Sequence, residues 1–399
     1  MLEGRDLLIF GGDWDWFPSV LQQIAQQLVA KNRILWVGSV SIRRPRLQMY
    51  DLRRIIGRLF DPHSSHRHSS SGPLPTAAIN PFVLPLYDLP VVRATNDALL
   101  RNVLRKRMKQ LGFRDIIAFP STPMVSGIMG QLGESSIHYF CVDDYSQYDG
   151  AYRCIPLLEK QLLSKADSCF AVSDPLLKTR TVKSGETHFL PMGVDTDHFR
   201  PFNEPPPGEL ASMRKPIVGF VGLLGSYVDL DLIMQCAIAY PRVSFVVIGR
   251  TMVDVSALSK APNIHYLGEV AYEKVPQYAR AFDVGLNPRI INQLTIAMNP
   301  LKIIEYLALG IPVVSTDLPA VRKFSDHVYV AHSREQFIEL IDVALKEADQ
   351  AKRDARRVIA EAHSWRSIAR NVSEIVERID RAGRPGSPAG TKTSEAGRS

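Results

Sequence analysis

Cysteine is scarce in this 399-residue chain. The four present, Cys141, Cys154, Cys169 and Cys236, form no CxxC pair, and three fall in apolar or helical runs. A disulfide framework is therefore not expected, and buried thiols in a reduced, cytoplasmic setting are. Long apolar runs are missing too: no stretch reaches the ~20 residues that cross a bilayer, and MLEGRDLLIFGG carries no signal-peptide core. A soluble or peripheral protein is expected. Acidic residues fall short of basic ones, 41 against 48, and the net charge of +7 favours anionic partners. The chain is too long for one hydrophobic core, so two domains of roughly 150 to 200 residues are the default.

What is present is organised around NPLKIIEYLALGIPVVST, residues 299–316. Apolar Leu301, Ile304, Leu307 and Ala308 repeat at helical spacing, while Lys302 and Glu305 project together three residues apart. Pro300 suits the first turn, Gly310 a left-handed stop, and Pro312–Thr316 reads as a buried strand. Helix, glycine and strand make one unit of an open α/β sheet, at whose edge ligands sit. From this stretch alone, a solvated Lys/Glu pair and a ligand-gripping pair stay open.

The first half alternates strand and helix. Strand Leu7–Phe10 ends at Gly11, Gly12 and Asp13, and a helix opens at Pro18, leaving free N–H groups for an anion or a sugar. This is not a GxGxxG, and the aromatic DWDWFPS would crowd a pyrophosphate; a cleft-lining, acceptor-side loop is expected. After strand Ile34–Val37, the basic segment 39–60 places Leu52, Ile55, Ile56, Leu59 and Phe60 on one face and Arg54 and Arg58 on the other. That suits a helix lying in a membrane interface, or equally a core-facing helix with a solvated basic face. The His-containing, Ser-rich loop DPHSSHRHSSSGPLP is expected to be disordered, not metal-binding. A second basic helix is expected over Asn96–Leu111, stopped by Gly112, with Arg101, Arg105 and Lys109 in one column. Together these helices suggest a surface for anionic lipid or phosphate; neither interleaves aromatics, so nucleic acid is not expected.

Strands Ile116–Phe119 and Ile137–Val142 follow, the latter running into Asp143 and Asp144. A carboxylate at the carboxyl end of a buried strand is a candidate general base, or else a cap for the next turn. Helix Pro156–Lys165, strand Ser168–Val172 and helix Asp174–Lys183 complete this half. FLPMGVDTDHFRP and the following PPPG read as a linker, placing an N-terminal domain at 1–200. The second half alternates again, over 201–364: strand Ile217–Val221 ending in Gly222, helix Leu230–Ala239, strand Ser244–Ile248, strand Ile264–Leu267 ending in Gly268 and Glu269, helix Tyr272–Ala281, and strand Asp283–Asn287. Helices Arg334–Lys346 and Gln350–His363 close it. A last helix over 365–380 is expected to pack back towards the N-terminal domain, and 381–399 to be disordered.

Two Rossmann-like halves joined by this linker resemble the GT-B fold of nucleotide-sugar-dependent glycosyltransferases: α/β, with two parallel sheets facing each other across a cleft. FLPMGVDTDHF resembles the family-4 interdomain signature, GFVGLL the first C-terminal strand, and NPLKIIEYLALGIPVVST the donor-site motif. HYFCVDDYSQYDG and DVGLNPRIINQLTIAMNPLKIIEYLA are most similar to the teichuronic-acid-type subgroup, and more distantly to the xanthan-pathway glucuronosyltransferase. The resemblance implies that Glu305 binds the donor ribose, that Lys302 sits by the diphosphate, and that Gly222 lets the diphosphate approach. Gly268, Glu269 and Asn299 would complete the donor side. Asp143 matches the proposed base of the glucuronosyltransferase, with Asp144 its open alternative. A hexosyl transfer from a nucleotide-sugar, UDP before GDP, to a lipid-linked or growing polysaccharide acceptor is implied, at the inner face of the membrane.

Two family features are absent. The glutamate usually found eight residues before Glu305 is Ala297, and GLLGSYVDLDL offers acids where a basic pair usually stands. Retaining and inverting chemistry are both open. The DxD patterns Asp13/Asp15, Asp195/Asp197 and Asp229/Asp231 are weak in a chain with 41 acidic residues, so neither a metal nor another cofactor is expected to be required. Two other functions fit the same architecture: a nucleotide-sugar epimerase, and a non-catalytic sugar-nucleotide-binding protein.

Overall fold

The computed structural model describes residues 1–14, 19–38, 40, 42, 73–200 and 205–382. The basic segment with Arg54 and Arg58, the His-containing loop up to residue 72 and the tail beyond 382 lie outside the described residues.

Two all-parallel sheets form the frame. The first joins β1 (Asp6–Phe10), β2 (Arg33–Val37), β3 (Ala77–Ile79), β4 (Ile116–Pro120), β5 (Glu134–Cys141), β6 (Ser168–Ala171) and β7 (Glu186–Phe189) in the order β3-β2-β1-β4-β5-β6-β7. The second joins β8 (Ile217–Val221), β9 (Ser244–Ile248), β10 (Ile264–Gly268), β11 (Val284–Asn287), β12 (Val313–Thr316) and β13 (Tyr329–Ala331) in the order β10-β9-β8-β11-β12-β13. Central strands such as DLLIF, IVGFV and SFVVI are buried along their whole length. Strands covered on both faces need continuous apolar runs, which is why these were readable as parallel. The C-terminal sheet has one apolar core cluster on each face. The N-terminal cluster extends beyond its own half: it includes Trp365, Ile368, Ala369, Val372 and Val376 of the last helix, Trp365–Ala382.

Several elements differ from expectation. The basic helix runs Pro90–Leu111, starting six residues before Asn96. Asn96 is not a cap: fully buried, it accepts from Leu84 N (2.8 Å) and donates to Leu84 O (2.9 Å), clamping the preceding extended segment to the helix. The helix after β6 ends at Thr179, and β7 follows where a longer helix and then a linker were expected. Tyr272–Ala281 splits into a 3-10 turn, Tyr272–Lys274, and a short helix, Val275–Ala279. Strands β3 and β13 and the helices Gln293–Ala297 and Pro319–Arg322 were not anticipated.

Candidate active site

The helix Leu301–Ala308 is buried nearly all round, including Ile303, Ile304, Tyr306, Leu307 and Glu305, which is 2% exposed. This corrects the solvated-pair alternative: Lys302 Nζ meets Glu305 Oε2 at 2.6 Å inside the fold. A buried carboxylate persists only with such a partner. Tyr306 fixes the helix to the sheet, its hydroxyl accepting from Val221 N (2.9 Å) while its ring occupies the space that a side chain at Gly285 would need. Burial pushes that phenol far above its ordinary pKa, so it stays a neutral anchor. Gly310, at φ +76°, ends the helix region.

Glycines tie the strand ends of this sheet together. Gly222 N donates to Ile248 O (2.9 Å), and Gly249 N to Gly268 O (2.7 Å). Gly268 thus lies on β10, at the sheet edge two strands from β8, with Glu269 exposed beside it. Asn299 reaches the other domain instead, donating through Nδ2 to Val172 O (3.0 Å) just after β6. The carboxyl ends of the two sheets therefore face each other. Lys323 adds a second tie, pairing with Asp174 (2.7 Å) and lying 3.6 Å from the Phe189 ring centroid. Ala297, which stands where the family glutamate is missing, is buried within the N-terminal cluster.

On the N-terminal side, Asp143 and Asp144 occupy the turn after β5 but differ in their bonding. Asp144 caps the 3-10 turn Tyr145–Gln147, accepting from Ser146 N (3.3 Å) and Oγ (2.6 Å), and pairs with Arg180 at 3.1 Å. Arg180 also holds Glu159 (3.2 Å), which accepts from the Tyr139 hydroxyl (2.8 Å). Burial opposes the Arg180 charge, yet Glu159 and Asp144 outweigh it and raise its pKa. This ionic cluster borders a cavity of about 580 Å³ that Lys160 and Lys183 also line. Asp143 is partly buried and accepts from the Tyr148 hydroxyl at 2.7 Å. In the loop after β1, Gly11 leaves room for the Trp36 ring, and Trp36 Nε1 donates to Gly12 O (2.8 Å). Asp13 Oδ1 lies beside Gly38. Arg101 and Arg105 both turn towards one loop, donating to the Gln131 side chain (2.6 Å) and carbonyl (2.7 Å) respectively.

Arg289 was not anticipated. It follows Asn287-Pro288 at the carboxyl end of β11, a strand whose place beside β8 is known only from the sheet order. Its backbone N donates to Thr316 Oγ1 (2.9 Å), its Nε to Asn287 Oδ1 (3.0 Å), and its guanidinium carbon lies 5.1 Å from the Tyr227 ring centroid. Burial lowers its pKa, and Tyr227, Tyr306 and Asp143 pull it back. Asp143 belongs to the other domain, so this cation is felt across the cleft. The acids of GLLGSYVDLDL are in turn engaged: Asp229 and Asp231 pair with Arg334 at 2.5 and 2.7 Å. Among the described residues no group of three or more His, Cys, Asp or Glu side chains stands together as a metal-ligand set, and no helix is long and apolar enough to cross a membrane. All four cysteines are buried and unpaired.

Residues 232–374, with Lys302 and Glu305 among them, match the family model described as glycosyl transferase-like. TuaH of Bacillus subtilis (strain 168), named as a teichuronic acid biosynthesis glycosyltransferase, is 29% identical over 234 residues, covering 55% of this chain and 59% of that protein. Sucrose-phosphate synthase from Thermosynechococcus elongatus superposes with a TM-score of 0.68 at 14% identity, covering 95% of this chain and 100% of its own. HepE of Anabaena, solved in complex with UDP-glucose, gives 0.63 at 12% identity, covering 94% and 99%. The fold is therefore GT-B: two Rossmann-like α/β domains with opposed parallel sheets.

Proposed function

We propose that this GT-B chain is a glycosyltransferase that moves a sugar from a nucleotide-sugar, UDP-linked before GDP-linked, to a lipid-linked or growing polysaccharide acceptor. The observation that carries this is the buried Lys302–Glu305 pair, which lies within the stretch matched by the glycosyl transferase-like family and at the sheet ends that face Asp143. A carboxylate held rigid within a short helix by a cationic partner is suited to accept from two adjacent ribose hydroxyls. HepE binds UDP-glucose on the same fold, and TuaH is named for glycan synthesis; both favour a UDP-sugar and a cell-surface acceptor here. The chain of events needs one base and one stabilised leaving group. Asp143 takes the acceptor proton; its neighbour Asp144 is committed to Arg180 and Ser146 and serves the turn instead. The developing charge on the leaving nucleotide is met by cationic side chains without a metal ion. The protein would work at the inner, cytoplasmic face of the membrane as a peripheral enzyme, with Arg101 and Arg105 on the basic surface turned to its acceptor.

The test is transfer from a panel of UDP- and GDP-sugars to a lipid-linked acceptor, with and without chelator. Transfer that survives chelation and falls about 100-fold or more in Asp143→Ala is expected. An epimerised donor in the absence of acceptor would identify an epimerase, and donor binding without any transfer a binding protein; either result overturns the proposal.

A further inference from the structure

Lys302 spends much of its charge on the buried Glu305 carboxylate, to which its ammonium is bonded at 2.6 Å, so it offers a diphosphate little unpaired charge. The loop that usually supplies a basic pair holds Asp229 and Asp231 instead, both paired with Arg334. A dianionic leaving group still needs a cation, and Arg289 has the right position and bonding state. The connection from β8 leads through the helix Leu230–Ala239 to β9 on one side, while β11 lies on the other. Arg289 therefore sits where neighbouring connections diverge, which is where an open parallel sheet leaves its ligand crevice. The loop after Gly222 is fastened to the same spot, through Ile290 N to Tyr227 O (3.1 Å) and Asp229 N to Pro288 O (3.0 Å).

The side chain itself is positioned but not satisfied. Nε is held by Asn287, and the guanidinium lies over Tyr227. Its Nη1 is shielded from solvent and has no hydrogen-bond partner among the described residues. A buried guanidinium N–H left unbonded is costly, and the arrangement makes sense when a ligand oxygen completes it. We propose that Arg289 binds the donor's phosphates, in place of the absent basic pair; this rests on the nucleotide-sugar reading above. The planar fork, already oriented by Asn287 and Tyr227, matches phosphate oxygens two at a time.

Calorimetric titration with UDP and with uridine separates the possibilities. Arg289→Ala and Arg289→Gln, each checked for an unchanged melting curve, should bind UDP about 10- to 100-fold more weakly than wild type while uridine binding stays the same. Lys302→Ala, which releases Glu305, should instead weaken uridine and UDP by the same factor. The inference is overturned if the folded Arg289 variants bind UDP as wild type does, or lose uridine equally; wild-type UDP binding in that experiment leaves the donor reading intact. If wild type binds neither UDP nor uridine, the uridine-nucleotide reading falls together with the inference.

Discussion

Gly249 is the residue on which the geometry of the strand ends in the C-terminal sheet turns. It sits at φ +145°, a conformation that L side chains rarely adopt, and a Cβ built there would stand 1.9 Å from the Gly222 carbonyl oxygen. Neither backbone can yield without parting β8 from β9, whose ends are joined by Gly222 N to Ile248 O. Gly249→Ala is expected to cost about 2 to 3 kcal/mol and to lower the denaturation midpoint accordingly. Gly12, where nothing lies within 4 Å of a built Cβ and φ is not positive, makes the control: Gly12→Ala should leave the midpoint unchanged. Equal effects of the two substitutions would contradict the close-packing argument. Residue by residue, the sequence was most legible where chemistry and pattern coincide. Lys302 and Glu305 stand at helical spacing, and Asp143 follows a buried apolar run. Arg289 lacked any such local sign: its role depends on which strands become neighbours, and a parallel order such as β8-β11 is a tertiary fact.

Among elements, the strands that were missed share a physical cause. β3, β7 and β13 all lie at sheet edges, where one side lacks a neighbour, and their residues are largely half-exposed or exposed. An edge strand of three or four residues is too short to show a period or a distinctive run, apolar as AAI and YVA are, so it merges with the flanking loops. The start of the helix Pro90–Leu111 was missed for a different reason: Asn96 looks like a cap but spends both amide groups on Leu84. The β13 edge is supported from behind by the helix Gln350–Ala362. There Arg356 and Glu347, each with 3% of the side chain exposed, form a two-pronged ion pair, and the Tyr329 hydroxyl donates to the same carboxylate. Burial works to raise the Glu347 pKa, but the bonds from Arg356 and Tyr329 outweigh it and hold it below 4.5. A depressed carboxylate stabilises the fold above its unfolded-state pKa, and that contribution drains away as pH falls through the folded value. Stability should therefore be level above pH 4.5 with respect to this group and decline below it. Glu347→Gln should flatten part of that acid limb while costing about 3 to 5 kcal/mol at neutral pH, because Arg356 is left buried without its counter-charge. Urea melts between pH 3 and 7 on both proteins measure this directly, and an acid limb identical in the two would exclude Glu347 as its source.

The whole molecule is held by two chain crossings that lie side by side. Val194 N donates to His363 O (3.0 Å) and Trp365 N to Val194 O (3.1 Å), with Gly193 tucked under the Trp365 ring. After the second crossing, Trp365–Ala382 returns to the N-terminal core, so the last helix belongs to the first domain although it follows the second in sequence. This divides the molecule into units with separate apolar cores, which can be tested through Val376. That side chain is fully buried in the N-terminal cluster and touches neither cluster of the C-terminal sheet. Val376→Asp places an unpaired carboxylate in apolar surroundings, at a cost above about 3 kcal/mol. Three of the four tryptophans, Trp14, Trp36 and Trp365, belong to the N-terminal cluster, and the fourth, Trp16, lies in the same half of the sequence, so tryptophan fluorescence follows that unit while circular dichroism follows both. In the variant, the fluorescence transition is expected at lower denaturant, and the dichroism transition should split, its second phase staying at the wild-type midpoint. A variant in which both signals shift together would mean that the two domains unfold as one cooperative unit, with the paired crossings at Val194 and Trp365 coupling them more strongly than their separate cores imply.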